Sequence, residues 1–598
     1  MKSHFFNLPL RFATALCLLA AAHTTFGAVT FSGDTSNSTT VIVGEAGQGS
    51  LTINDGSSLS NTTGIVGKLA GGNGTVNVSG GNWTNSSTLT IGNYGTGSLT
   101  ISNGTVSSAG GSVGFNIGSN GTVNVSGGTW TNSSSLAIGT FGTGSRLTIS
   151  NGTVSNTTGT VGSGGGSNGT VNVSGGTWAN SGNLRVGLSG TGSLTITGGT
   201  VTNTSGIVGS GAGSNGTVNV SGGSWTNSGN LTIGDSGTGS LTISNGTVSN
   251  TSGTVGSSSG SNGTVNVSGG NWTNSGNLTL GSGGNGTLNL TGNGTVSVGG
   301  GLVRLANTSG KTGTLNLGNG TAAGTLSAAT ITGGNGTAVV NINQSGSYTL
   351  GSNMTGSLSL NHIGTGTSTL AGANTYSGNT TVSSGTLNVN GSTSASSSFT
   401  VASGATLGGN GTIGGATMIY GIHSPGNSPG IQTFTGNLTY DTSGRSIPTV
   451  NWQLSDNTDT TFSAFDQIVV GGNLAFNTPT SLVLDFSGYG DVDWADPFWT
   501  TDQSWVIYDV TGTTTGWENV TIATANWTDY NGDSFDTLLS DSSFSLGLQG
   551  NDLVLSYTAG TSAVPEPSQV AASLLALSGL GIYLWRKKHA AQAKRQRS

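Results

Sequence analysis

Residues 29–430 alternate apolar and polar side chains with a period of two, in very short runs. Val76-Asn77-Val78, Leu89-Thr90-Ile91 and Leu99-Thr100-Ile101 each send their apolar side chains to one face. This is the pattern of strands buried on one side only. Gly-Gly, Asn-Gly and Gly-Thr-Gly separate the runs, and these residues supply the positive φ that tight turns require. A longer period lies above this one. Trp83, Trp130, Trp178, Trp225 and Trp272 are spaced 47, 48, 47 and 47, each ending a GTVNVSGG-x-W phrase. The 47-residue unit is itself a doublet: shifted by 23 or 24 residues, Val76 falls on Leu99, Val78 on Ile101 and Trp83 on Val106. The same shift pairs Trp130 with Val154, Trp178 with Val201, Trp225 with Val248 and Trp272 with Val296.

Short strands, glycine turns and a self-similar half-unit predict an all-β chain. Its expected architecture is a parallel β-helix (β-solenoid) of ~23-residue coils, stacked at about 4.8 Å. Residues 29–430 would then make about 17 coils. A propeller is the rival, because the whole doublet could fill one four-stranded blade; the self-similar half favours the solenoid. In a solenoid, Trp130, Trp178 and Trp225 should be buried, with Val154 and Val201 between them. An exposed row of indoles would instead offer a glycan-stacking platform.

Composition narrows the class. Of 598 residues 110 are glycine, with only 14 Lys+Arg and 21 Asp+Glu. A helical protein needs more Ala, Leu, Glu and Lys. Collagen is excluded by the lack of a three-residue glycine period, and disorder by the regular spacing of Val, Ile and Leu. Charge is unevenly placed. Residues 29–440 carry four acids (Asp34, Glu45, Asp55 and Asp235), whereas residues 441–563 carry sixteen acids and one base, Arg445. Residues 431–560 therefore read as an acidic, β-rich C-terminal module able to cap the open end of a solenoid. Its expected strands are Ile468–Val470, Ser481–Phe486, Trp505–Val510 and Asp552–Tyr557.

Chemistry-bearing residues are few. Asp529, Asn531, Asp533 and Asp536 place oxygens at alternate positions as calcium loops do, but without EF-hand spacing; a solvated acidic surface loop is the better account of them, and of the second acidic turn, Asp491, Asp493 and Asp496. No metal site and no cofactor is expected. A β-helix polysaccharide lyase or hydrolase needs clustered carboxylates or a metal with a base, and the repeats hold only scattered acids. Only His362 and His423 lie in the body of the chain, and His423 reads as a polar turn residue. No basic patch suggests nucleic acid. The expectation is a non-enzyme.

The two ends read as targeting elements. Residues 1–28 have the basic flank and apolar stretch of a signal peptide, implying export through the Sec translocon. The sole cysteine, Cys17, lies within it. Gln569 to Trp585 is uncharged and slightly short for a spanning helix. It is followed by Arg586, Lys587, Lys588, Lys594, Arg595 and Arg597, which would stay cytoplasmic. The motif Val564-Pro565-Glu566-Pro567-Ser568 directly precedes it. Pro-Glu-Pro, short helix and basic cluster in that order (residues 561–598) resemble the PEP-CTERM sorting signal. That resemblance implies processing by an exosortase-like enzyme, an inner-membrane precursor, and a bacterium that also makes exopolysaccharide. Here the basic tail is longer than is usual in that family.

Within residues 361–430, LAGANTYSGNTTVSSGTLNVNG at 370–391 resembles the autotransporter-associated β-strand repeat of type V secretion passengers. His423-Ser424-Pro425-Gly426-Asn427-Ser428-Pro429-Gly430 is similar to the PGNSPG segment that follows such repeats, and Phe465-Asp466-Gln467-Ile468-Val469-Val470 to the strand beyond it. The terminal membrane barrel of autotransporters has no room here, so self-translocation is not implied. The expected protein is an exported surface or extracellular-matrix solenoid, adhesive or structural in association with exopolysaccharide. The alternative is a carbohydrate-active enzyme using acids of residues 441–560. Ice binding by rows of threonine is a weaker reading, because outward threonines do not recur in every coil.

Overall fold

A computed structural model describes residues 29–560 except 34, 38, 300, 395–396, 428, 443–445, 488–489 and 524–526, together with Leu584 and Lys587. The signal segment and nearly all of the sorting segment lie outside the described residues. The chain is all-β, and the described part falls into two compact units. The first holds residues 29–206 with 213–218 and 222–226; the second holds 207–212, 219–221 and 227–560.

The first unit is a parallel β-solenoid with three short strands per coil, for example Asn73–Val78, Asn82–Asn85 and Thr88–Ile91. Each strand pairs in parallel with its counterpart one coil away: Leu99 lies between Val76 and Val123, and Val113 between Ile91 and Ile138. Apolar residues at alternate positions point inward and are buried without exception along these ladders. Antiparallel strands Val29–Gly33 and Thr35–Asn37 begin the unit, paired with Gln48–Ile53 and Thr40–Val43.

The Trp/Val alternation is confirmed as core packing. Trp130 is registered between Val106 and Val154, and Trp178 between Val154 and Val201. Trp83, Trp130, Trp178, Trp225 and Trp272 are 0% exposed, which removes them as a glycan platform. The structure also explains why the repeat is a doublet. Trp83, Trp130, Trp178 and Trp272 each lean toward a glycine in the preceding coil: a Cβ on Gly111 would lie 3.0 Å from Trp130 Cζ2 and 2.8 Å from Leu136 Cδ1. The position in register with that glycine in the next coil is leucine, Leu136 opposite Gly111 and Leu184 opposite Gly159. Bulky Trp-plus-Leu coils thus alternate with small Val-plus-Gly coils, and the large side chains fill the space that the small coil leaves.

Asparagine completes the layer. Trp83 Nε1 donates to Asn61 Oδ1 at 2.7 Å, Trp178 Nε1 to Asn156 Oδ1 at 2.8 Å and Trp225 Nε1 to Asn203 Oδ1 at 2.7 Å. Asn61 and Asn156 then donate to Asn85 and Asn180, each at 2.6 Å. These bonds satisfy the buried indoles and amides inside the wall, although Asn274 Nδ2 is left without a partner. Trp130 breaks the pattern: Ser108 stands where the other coils have asparagine, and Trp130 Nε1 has no partner.

The second unit is also a parallel β-solenoid, and its coil length varies. Thr380 pairs with Phe399 and Phe399 with Thr417, shorter steps than in the first unit. Leu438 pairs with Leu474 and Leu474 with Thr514, nearly twice as long. Parallel pairing therefore runs on through the acidic region, and the long coils carry its loops. Strands Gln467–Val470, Thr480–Asp485, Gln503–Val510 and Asp552–Thr558 agree with those expected from the sequence. The stack ends in antiparallel pairing of Gln503–Val510 with Asp552–Thr558, and of that strand with Ser543–Gln549. A cluster of rings fills this end, with Trp494 edge-on to Trp499 at 4.7 Å and to Phe486 at 4.9 Å.

Candidate functional site

The sorting residues Val564, Pro565, Glu566, Pro567, Ser568, Arg586 and Lys588 lie outside the described residues; Lys587 is described and exposed. The aspartates of the 529–536 loop are divided. Asp529 is buried and accepts the backbone N–H of Trp494 at 3.0 Å and of Asp533 at 2.8 Å, so its carboxylate holds the turn together. Asn531, Asp533 and Asp536 are exposed. Asp493 and Asp496 accept the amides of Ala495 and Phe498, again closing turns. Among the described residues no three His, Cys, Asp or Glu side chains gather in a way that could hold a metal ion.

His423 differs from its expected place in a surface turn. The strand Ile422–Pro425 alternates inward and outward, and its period of two turns the imidazole into the core. There Gln432 Nε2 donates to the Gly408 carbonyl, which leaves its Oε1 to accept from His423 Nε2 at 2.7 Å. That assigns the Nε2–H tautomer, so Nδ1 accepts from Tyr440 Oη at 2.6 Å, and Tyr440 accepts from Tyr508 Oη at 2.9 Å. Burial pushes the His423 pKa down to about 4 and that of Tyr508 well above the usual phenol range. The network is sealed in the core and neutral. His362 is also buried: its Nδ1 donates to the Ser384 carbonyl, and Ser368 and Gln344 complete the chain.

Asp466, to which the sequence pattern assigns no role, organises the PGNSPG segment. Its Oδ1 accepts from Gly430 N at 2.8 Å and its Oδ2 from Gln453 N at 3.0 Å, tying the turn to the strand Thr449–Gln453. Gly426, at φ 80°, faces the same carboxylate; a Cβ there would lie 2.7 Å from Asp466 Oδ1. Burial pushes the Asp466 pKa up to about 8 against the two amide hydrogen bonds, and the charge of Asp485 adds to the rise. Asp466 and Asp485 border a groove of about 710 Å³ that is also lined by Asn388, Ser424, Asn451 and Gln453. Gln453 Nε2 donates to Asp485 Oδ2 at 3.2 Å.

A second groove, of about 410 Å³, carries no charge. Asn266, Asn289, Asn316, Asn341 and Asn361 occupy one outward position on five successive coils. Each donates through Nδ2 to the Oδ1 of the one before, at 2.7, 2.7, 2.8 and 2.9 Å. The first four line the groove, with Thr291, Asn319, Asn343 and Ile363. An amide has two donor hydrogens and two acceptor lone pairs. Each ladder bond uses one of each, which leaves one N–H and one lone pair per coil for a ligand. The ladder was visible in the sequence as asparagine recurring at a strand's polar position, but its depth in a groove was not.

Compared with known protein families, the chain matches none. Compared with curated proteins, it again finds no match at a significant level.

Proposed function

We propose that this is an exported, non-enzymatic β-solenoid of the cell surface or extracellular matrix, with an adhesive or structural role in association with exopolysaccharide. The asparagine ladder carries the reading. It presents uncharged donors and acceptors along five successive coils, a regular series of weak hydrogen bonds suited to a chain of sugar hydroxyls. The two buried histidines are in keeping with it, since both are committed to internal hydrogen bonds. The resemblance of the C-terminal segment to the PEP-CTERM signal extends the reading to processing by an exosortase-like enzyme. The order of Pro565-Glu566-Pro567, an apolar run short for a permanent anchor, and a basic cluster supports this.

The alternative, a carbohydrate-active enzyme, is favoured by one observation: two carboxylates, Asp466 and Asp485, border the same groove, and glycoside hydrolysis uses a pair of carboxyl groups. Incubating the purified protein with soluble polysaccharides separates the readings. Binding without release of reducing ends supports the structural role. Reducing ends that disappear in Asp485→Asn establish the enzyme.

A further inference from the structure

Between residues 32 and 347 the chain contains only three Phe or Tyr residues: Tyr94, Phe115 and Phe141. All three lie on one turn of three consecutive coils in the first unit, just after Gly92, Gly114 and Gly139, which all have positive φ. The turns are stacked in register: Phe115 N donates to the Gly92 carbonyl at 2.8 Å, Asn116 N to that of Asn93 at 3.0 Å and Thr140 N to that of Gly114 at 2.9 Å. The rings point outward, 53%, 42% and 44% exposed, and Ile117 on the same turn is 83% exposed. The core does not need them, since every layer is already filled by Trp, Leu and Val. The chain beyond makes room for them: Phe141 lies across Gly164, where a Cβ would stand 2.5 Å from the ring.

Polar groups run beside the rings. Asn116 Nδ2 donates to Asn93 Oδ1 at 2.9 Å and Asn93 Nδ2 to the Lys68 carbonyl at 3.2 Å, a short amide ladder. Lys68, at this edge, is neutralised by Glu45 at 2.7 Å. The surface therefore combines aromatic faces, at a coil spacing of about 4.8 Å, with amides and no net charge. We infer that this turn is a stacking platform for a linear, uncharged polysaccharide. The C–H faces of the sugars lie on the rings, and their hydroxyls bond to Asn93 and Asn116. The absence of net charge at the patch selects against an anionic glycan. The inference rests on the glycan-association reading above and adds a binding surface separate from the asparagine groove.

Affinity electrophoresis of the exported protein tests it, with gels containing hydroxyethylcellulose, dextran or anionic polygalacturonate. At least one uncharged polymer should retard the protein, and polygalacturonate should not. Changing Tyr94, Phe115 and Phe141 together to Ala should weaken retardation about tenfold or more, with an unchanged circular dichroism spectrum. A second variant, Asn289→Ala with Asn316→Ala, probes the groove. If only this second variant loses retardation, glycan association stands and the platform is refuted. If no uncharged polymer retards the wild-type protein, both fall. Self-association seen by sedimentation and abolished by the triple change would overturn the inference in favour of contact between copies of the chain.

Discussion

Replacing Ser108 with asparagine would give one coil the hydrogen bonds that its neighbours already have. Trp130 Nε1 and Asn132 Nδ2 are buried without partners, while Ser108 Oγ donates to Asn132 Oδ1 at 2.7 Å. Two coils on, Asn156 receives Trp178 Nε1 at 2.8 Å and donates to Asn180 Oδ1 at 2.6 Å. The surroundings correspond: Gly111 is crowded by Asn132, Leu136 and Trp130 as Gly159 is by Asn180, Leu184 and Trp178. A buried, unsatisfied donor costs about 1–3 kcal/mol, and ordering the longer side chain returns part of that, under about 1 kcal/mol. Ser108→Asn should thus stabilise its coil by about 1–2 kcal/mol. In a solenoid, stability is close to a sum over neighbouring coils, so the gain is read best locally. Amide hydrogen exchange across residues 105–132 should slow by about 5- to 30-fold. The converse change, Asn156→Ser, strands Trp178 Nε1 and should speed exchange around residues 153–180 by a similar factor. Exchange that is unchanged or faster in Ser108→Asn would refute the assignment of this layer.

Gly159→Ala places a methyl group against Trp178 Cζ2, 2.9 Å away, and should cost about 1–3 kcal/mol by overpacking, seen as a lower urea midpoint. The two buried titrating groups give opposite pH dependences. His423, held neutral down to about pH 4, destabilises the fold as pH falls from about 6.5 toward 4, because the unfolded chain takes up the proton first. Asp466, held protonated up to about pH 8, contributes stability that is lost as pH rises from about 4 through 8. Between about pH 6.5 and 8 only Asp466 of these two acts, so the urea midpoint should decline there, and Asp466→Asn should remove the decline.

The fold was legible because a solenoid writes its coil length into the sequence. Tryptophan spacing gave the doublet, and Val76 over Leu99 gave the rung. The reason for the doublet was present too, in glycines 64, 111, 159 and 253, which keep step with tryptophans 83, 130, 178 and 272. It passed unnoticed because glycine is everywhere in this chain. Past residue 437 the coils lengthen by loop insertion, so the period fails while the parallel pairing continues. Asp466 was beyond reach for a different reason: its partners Gly430 and Gln453 are joined to it only by the stacking of coils. The exposed rings of Tyr94, Phe115 and Phe141 sit at slightly different offsets within their turns, so no repeat alignment gathers them.

The central claim is of a solenoid released from the membrane into the surface or matrix. Mass spectrometry of the protein recovered outside the cell tests it most directly. The account predicts peptides throughout residues 29–560 and none from 590–598, with full-length chain accumulating in the inner membrane when Pro565, Glu566 and Pro567 are changed to Ala. Recovery of peptides from 590–598 on the extracellular protein would contradict it.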